Sequence, residues 1–114
     1  MNISFEGIGQ NVVTFMCEDD AVGGCTVKVS SDKTAAKCAD GDIFTGVACH
    51  NAENGAAAVV INGYVTVPYT GAAPAYGYVT VAADANGGVK AASVGRNVIV
   101  CEVDTANALV GMFI

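Results

Sequence analysis

Apolar and polar residues alternate in short runs along this chain, and glycine, asparagine or aspartate breaks the runs every ten residues or so, roughly the spacing of small all-β folds. Alternation at period two places successive side chains on opposite faces of an extended strand. Ten runs fit that template: 11–18 (NVVTFMCE), 25–30 (CTVKVS), a weaker 34–39, 43–50 (IFTGVACH), 56–61 (AAAVVI), 64–69 (YVTVPY), 76–83 (YGYVTVAA), 88–92, 96–104 (RNVIVCEVD) and 107–114 (NALVGMFI). Turns are marked by Asn54-Gly55, Asn62-Gly63 and Asn86-Gly87, pairs that reach positive φ at least cost, and by Gly23-Gly24, Asp40-Gly41, Gly71 and Gly95. The runs on either side of Asn54-Gly55 predict a hairpin. Asn62-Gly63 reads either as a turn or as a bulge in one long bent strand. Pro68 lacks an amide donor and marks an edge strand or a strand end.

The faces differ between runs. In CTVKVS, Thr26, Lys28 and Ser30 predict a wet side, and Cys25, Val27 and Val29 a dry one. In NALVGMFI, Leu109 and Phe113 point one way while Val110, Met112 and Ile114 point the other, and RNVIVCEV is apolar on both sides up to Glu102. Strands apolar on both faces are either sandwiched inside a fold or covered by another subunit. A chain of 114 residues has little material for a further layer, so self-association is expected.

Composition sharpens the fold class. The chain holds 19 Ala and 18 Val against a single leucine, Leu109, together with 14 Gly. Valine is stiff at χ1 and suits a pleated sheet, whereas helical cores lean on leucine. The expectation is one all-β domain over residues 1–114, a small β-barrel or β-sandwich of short, mainly antiparallel strands. Residues 1–10, with Ile3, Phe5 and Ile8 among polar neighbours, read as an N-terminal arm added to a neighbour's sheet or as the first strand of their own.

Charge removes two partner classes. The net charge is −6, and only Lys28, Lys33, Lys37, Lys90 and Arg96 are basic, so nucleic acid and anionic membrane surfaces are disfavoured. A basic protein partner is compatible with that balance. No run approaches the roughly 20 apolar residues of a membrane helix. MNISFEGIGQ lacks a basic n-region and an apolar h-region, which predicts no signal peptide and synthesis in the cytoplasm.

Candidate chemistry is concentrated in CADGDIFTGVACH, residues 38–50, which holds two cysteines, two aspartates and the chain's one histidine. On a strand, Cys49 and His50 project from opposite faces and cannot form a nucleophile–base pair or jointly hold a metal. The cysteines at 17, 25, 38, 49 and 101 are odd in number and lack the short ligand spacings of structural zinc sites, so they read as reduced, mostly buried thiols. Asp40-Gly41-Asp42 reads as a turn with aspartates bonded to nearby amides. A calcium loop opening at Asp84 would need Gly at position 89 and Glu at 95, where the chain has Val89 and Gly95. Glu18-Asp19-Asp20 reads as a solvated loop, and Gly7-Ile8-Gly9 lacks the third glycine and the strand–helix setting of a dinucleotide site. With one His, one Arg and no Trp, no catalytic, metal or cofactor residue is assigned and no cofactor is expected. Tyr64, Tyr69, Tyr76 and Tyr78 form the remaining candidate surface, since tyrosine joins apolar area to a hydroxyl. The residues assigned to a partner or oligomer surface are Ile3, Phe5, Tyr69, Tyr76 and Phe113.

The succession DGDIFTGVA, NGYVTVPYTGAAPAYGYVTVAADANGGVK and GRNVIVCEVDTANALVGMFI resembles small head-decoration, or cement, proteins of tailed phages and prophages. The resemblance runs from about Val12 to the C-terminus and rests on fold-pattern motifs, without catalytic residues to carry over. It implies a noncatalytic β-barrel-like protein on the virion capsid surface. It also implies binding to the major capsid protein as a symmetric homo-oligomer such as a trimer. The alternative from another class is a bacterial β-barrel module that binds a peptide or small ligand.

Overall fold

A computed structural model describes residues 10–17, 23–49 and 55–114. Valine and alanine at period two, punctuated by turn residues, give ten strands among these residues. They are β1 (Asn11–Cys17), β2 (Thr26–Ser31), β3 (Thr34–Lys37), β4 (Gly46–Ala48) and β5 (Ala56–Asn62), then β6 (Tyr64–Pro68), β7 (Gly77–Ala83), β8 (Val89–Ala91), β9 (Arg96–Asp104) and β10 (Leu109–Phe113). The first five close into a barrel in the order β1-β3-β2-β4-β5, and the last five form a second sheet in the order β6-β10-β9-β7-β8. Pairing is antiparallel apart from β1 with β3 and an isolated bridge between Tyr69 and Val89. The expected all-β class, with a barrel of short, mainly antiparallel strands, is the one observed.

The glycines of all three Asn-Gly pairs take positive φ. The strands flanking Asn54-Gly55 form the expected hairpin, with Val47 opposite Val60 and Ala48 opposite Val59. Gly63, at φ 126°, is the corner at which the chain leaves the barrel on β5 and enters the second sheet on β6. A Cβ there would stand 2.6 Å from Cγ of Gln10, so the corner is closed to any side chain. Pro68 ends β6, which is itself an edge strand, so its missing amide leaves no gap in the ladder.

Two clusters make the core, and period two explains the division. Val27, Ala35, Ala48 and Val59 meet one another with Phe15, Cys17 and Ile61 against them, so each barrel strand contributes to the barrel interior. The alternate residues Val47 and Val60, with Phe44 and Cys38, face outward from the barrel and join Val65, Val67, Val81, Val98, Val100, Val110 and Met112 of the second sheet. The short strand β4 and the middle of β5 are therefore apolar on both faces because they are sandwiched between the barrel interior and the second sheet.

Two sequence expectations need correction. In β2 the wet and dry faces do not run the length of the strand: Thr26 and Val27 are both buried, whereas Val29 is half exposed with Ser30 and Ser31. The strand starts inside the joint between the sheets, where the Thr26 amide donates to Gly87 O at 2.9 Å and its hydroxyl to Gly88 O at 3.2 Å, and then runs out into solvent. Over its described residues, 43–49, the run 43–50 is strand only at Gly46–Ala48. The segment before it is diverted to the second sheet, with the Gly41 amide donating to Ala83 O at 2.8 Å and the Ala83 amide to Asp42 O at 2.9 Å.

Arg96, the chain's one arginine, ties the two sheets together. From the start of β9 its guanidinium donates to the carbonyls of Thr45, Phe44 (3.4 Å) and Ile61 (2.7 Å), and it lies 5.6 Å from the centroid of the Phe44 ring. A planar fork of donors meets three divergent acceptors, a geometry that a lysine ammonium cannot reproduce. Arg96→Met is expected to lower unfolding free energy by about 2–4 kcal/mol by stranding these carbonyls. Arg96→Lys should recover only part of the loss. Urea denaturation of the three proteins checks this, and equal stability of Arg96→Met and the parent would refute the role.

Candidate functional site

The stretch 38–50 is dispersed by the fold. Cys38 is buried in the main core, Cys49 is exposed beyond the end of β4, and His50 lies outside the described residues. Burial pushes the Cys38 thiol up to about 11, with the nearby Asp42 carboxylate adding to the effect. Asp42 accepts the Ala39 amide at 2.8 Å and pairs with Lys28 at 2.7 Å, and both contacts hold its carboxyl below the usual range. Asp40 pairs with Lys90 at 2.9 Å. Asp42 thus bonds a nearby amide, as expected from Asp-Gly-Asp, whereas Asp40 reaches across to Lys90 of β8. Among the described residues no three His, Cys, Asp or Glu side chains converge on a point that could hold a metal ion.

Asp84 is likewise structural. It is buried and accepts the amides of Asn86 (2.8 Å) and Gly88 (2.9 Å) and the hydroxyl of Thr70 (2.6 Å), fastening the turn from β7 to β8. The expectation of mostly buried thiols holds for Cys38 alone: Cys17, Cys25 and Cys101 are half exposed and Cys49 is exposed, all five without a disulfide. Val and Ala make up most of both core clusters, and the cysteines other than Cys38 stand at or beside strand ends or on the outer face.

Val12, Val13, Met16 and Val94 are exposed singly or on the barrel, but among the described residues the outer face of the second sheet carries exposed apolar residues in register. Register places Tyr64 opposite Phe113, Phe113 opposite Ile99, and Ile99 opposite Tyr78, so one row of large apolar side chains crosses β6, β10, β9 and β7. Such cross-strand neighbours stabilise one another. Tyr64 and Phe113 meet edge to face, with centroids 5.2 Å apart and planes at 66°. Exposure then climbs along the row, to 45% at Ile99 and 73% at Tyr78. Tyr76, next to it, is 69% exposed.

Gly111 lets this face form. A Cβ at that position would overlap the Tyr64 hydroxyl and ring, so the bare glycine gives the phenol a bed across β10. Burial, reinforced by the neighbouring Glu102 carboxylate, raises the Tyr64 phenol to about 12. Opposite Gly111 the β9 register slips by one residue, from Val100 to Glu102, and Cys101 is the extra residue of a bulge. Beside the bulge a hollow of about 400 Å³ opens, and Tyr76, Leu109, Gly111, Glu102 and Asp104 are among the residues that line it.

Of the residues assigned to a partner surface from sequence, Tyr76 and Phe113 stand on this face. Tyr69 packs against the main core from its other side, with its amide donating to Ala108 O at 3.0 Å. Ile3 and Phe5 lie outside the described residues. Tyr78 was visible as part of the tyrosine set. Ile99 was visible only as one half of a strand apolar on both sides, and Glu102 and Asp104 gave no separate signal. No family model matches the chain, and no curated protein shows significant similarity to it.

Two outcomes follow from these environments. A thiol-specific reagent at neutral pH should modify Cys49 first and leave Cys38 untouched until the protein unfolds, because Cys38 is both buried and protonated. Peptide mapping by mass spectrometry reads the order, and early labelling of Cys38 would contradict the packing described. Asp42 contributes stability above the ordinary aspartate pKa of about 3.9, and that contribution is lost as pH falls through its lower folded value. Asp42→Asn should therefore lower the melting temperature at neutral pH and narrow the gap from the parent below about pH 4, as differential scanning calorimetry across pH would record.

Proposed function

We propose that this chain is a noncatalytic structural protein of a phage or prophage particle, one that self-associates and caps or cements the capsid surface by binding the major capsid protein. The observation that carries the proposal is the exposed row on the outer face of the second sheet, where Tyr78, Ile99 and Tyr76 present apolar area that no other part of the described chain covers. Large exposed apolar patches mark interaction sites. Tyrosine is favoured there because it brings area and a hydroxyl at small entropic loss. Repetition over a symmetric shell multiplies weak contacts, so no single residue need be a strong anchor. The resemblance to head-decoration proteins supports the same reading.

The hollow beside Tyr76 favours the second reading, a β-barrel module for a peptide or small ligand. Co-sedimentation with assembled shells of the phage that carries the gene separates the two. Pelleting with shells, and an oligomer by light scattering, are expected on the first reading. A clean monomer that stays in the supernatant would overturn it. Tyr78→Asp combined with Ile99→Asp should reduce association at least about tenfold. The two aspartates would stand opposite each other across β7 and β9 and lower the melting temperature, so association is compared at a temperature where both proteins keep a native spectrum. Unchanged association in a folded double variant would remove this face from the interface.

A further inference from the structure

We infer that the hollow between Tyr76 and Leu109 receives an arginine side chain presented by a partner protein. The inference rests on reading the outer face of the second sheet as a protein-binding surface, and it names what that surface recognises.

The lining has the parts that a guanidinium on an aliphatic stem requires. Tyr76 offers a largely exposed ring on which a planar cation can stack, and Leu109 offers an apolar wall for the stem. Gly111 lines the hollow without a side chain of its own, the Tyr64 hydroxyl lying where its Cβ would be. Glu102 and Asp104 supply carboxylates, and none of the lining residues is basic. Neither of the ion pairs given for the described residues, Lys28 with Asp42 and Lys90 with Asp40, includes Glu102 or Asp104, so no described cation pairs with either carboxylate. Asp104 is fixed in place: it accepts the amides of Ala106 (3.1 Å) and Asn107 (3.2 Å) and the Asn107 side-chain amide (2.9 Å). Those contacts also hold its carboxyl below the usual range, so it is ionised at neutral pH.

Charge and composition exclude a second copy as the source. The chain carries a net −6, and its one arginine, Arg96, is already committed to the carbonyls of Phe44, Thr45 and Ile61. The arginine must come from a different protein. Arginine suits the hollow better than lysine because it stacks, binds carboxylate in a fork, and is less strongly hydrated.

The test is a heteronuclear NMR titration of the full chain with acetyl-Gly-Arg-Gly-amide at low ionic strength. The isosteric neutral citrulline peptide and the lysine peptide are titrated alongside. Saturable shifts confined to residues around the hollow are expected with the arginine peptide, with affinity about tenfold weaker for citrulline and intermediate for lysine. Glu102→Gln, checked for a native spectrum, should weaken the arginine peptide by a similar factor, and Tyr76→Ser should weaken it severalfold. No saturable shift, equal affinity for citrulline, or an unaffected Glu102→Gln protein would each overturn the inference. If shells bind the protein while the peptide does not, the arginine inference falls and the capsid reading stands. If the peptide binds while shells do not, the arginine inference stands and the capsid reading falls.

Discussion

The joint between the barrel and the second sheet is the constraint on which the rest of the molecule depends. A barrel of five short strands whose interior is filled by Val27, Ala35, Ala48 and Val59 encloses little apolar volume. The larger cluster exists only because β4 and β5 turn their second face, through Val47 and Val60, toward the inner face of the other sheet. Small chains bury a smaller fraction of their surface than large ones, so a strand that serves two cores is an economical use of valine. Dispersion and area burial hold the faces together but do not fix their angle. The directional groups do that: Gly63 at the corner, the exchange between the 38–45 segment and Ala83, and the Arg96 fork on three carbonyls.

Satisfying that joint determines what is left exposed. Every large apolar residue on the inner face of the second sheet is consumed in the shared core, and the described chain has no third layer for its outer face. β9 and β10 are therefore apolar on both sides but covered on one. The outer row is not left loose. Tyr64 is folded over Gly111 and braced by Phe113, so the buried end of the row anchors its exposed end at Ile99 and Tyr78. A surface held this way is pre-organised, and binding to it orders fewer side chains than binding to a flexible patch.

Period-two alternation and turn residues made most of this fold legible. The ten strands, the hairpin at Asn54-Gly55, the strand end at Pro68 and the two-faced character of the last two strands were all in the pattern. What failed to show were contacts between elements distant in sequence. The wet and dry sides expected of CTVKVS do not form because Thr26 enters the joint and finds the Gly88 carbonyl, whereas Val29 is carried out into solvent. Residues 43–45 carry an acceptable strand pattern, yet hydrogen bonds to the other sheet claim the segment before them. For the site, the tyrosines were visible as a class, but alternation alone cannot say which face of a sheet a partner strand will cover. Tyr69 and Tyr76 look equivalent in sequence and end on opposite sides of the second sheet.

The bulge at Cys101 shows how a small irregularity converts a structural strand into a recognition surface. In regular alternation through 99–104, Glu102 would share a face with Val98 and Val100, directed at the core, where an ionised carboxylate is costly. The extra residue resets the phase, so Glu102 stands opposite Gly111 and emerges beside Tyr64 and Tyr76, while Val103 packs against the core. The same slip places Asp104 at the turn, where its own backbone amides hold it. One inserted residue thus keeps the valines inward and brings two negative charges to the rim of an aromatic hollow. The glycine opposite the bulge gives the Tyr64 ring its bed beside that hollow. Core packing and surface chemistry are set at one point in the β9–β10 ladder, and a change that repaired the ladder's regularity would destroy both.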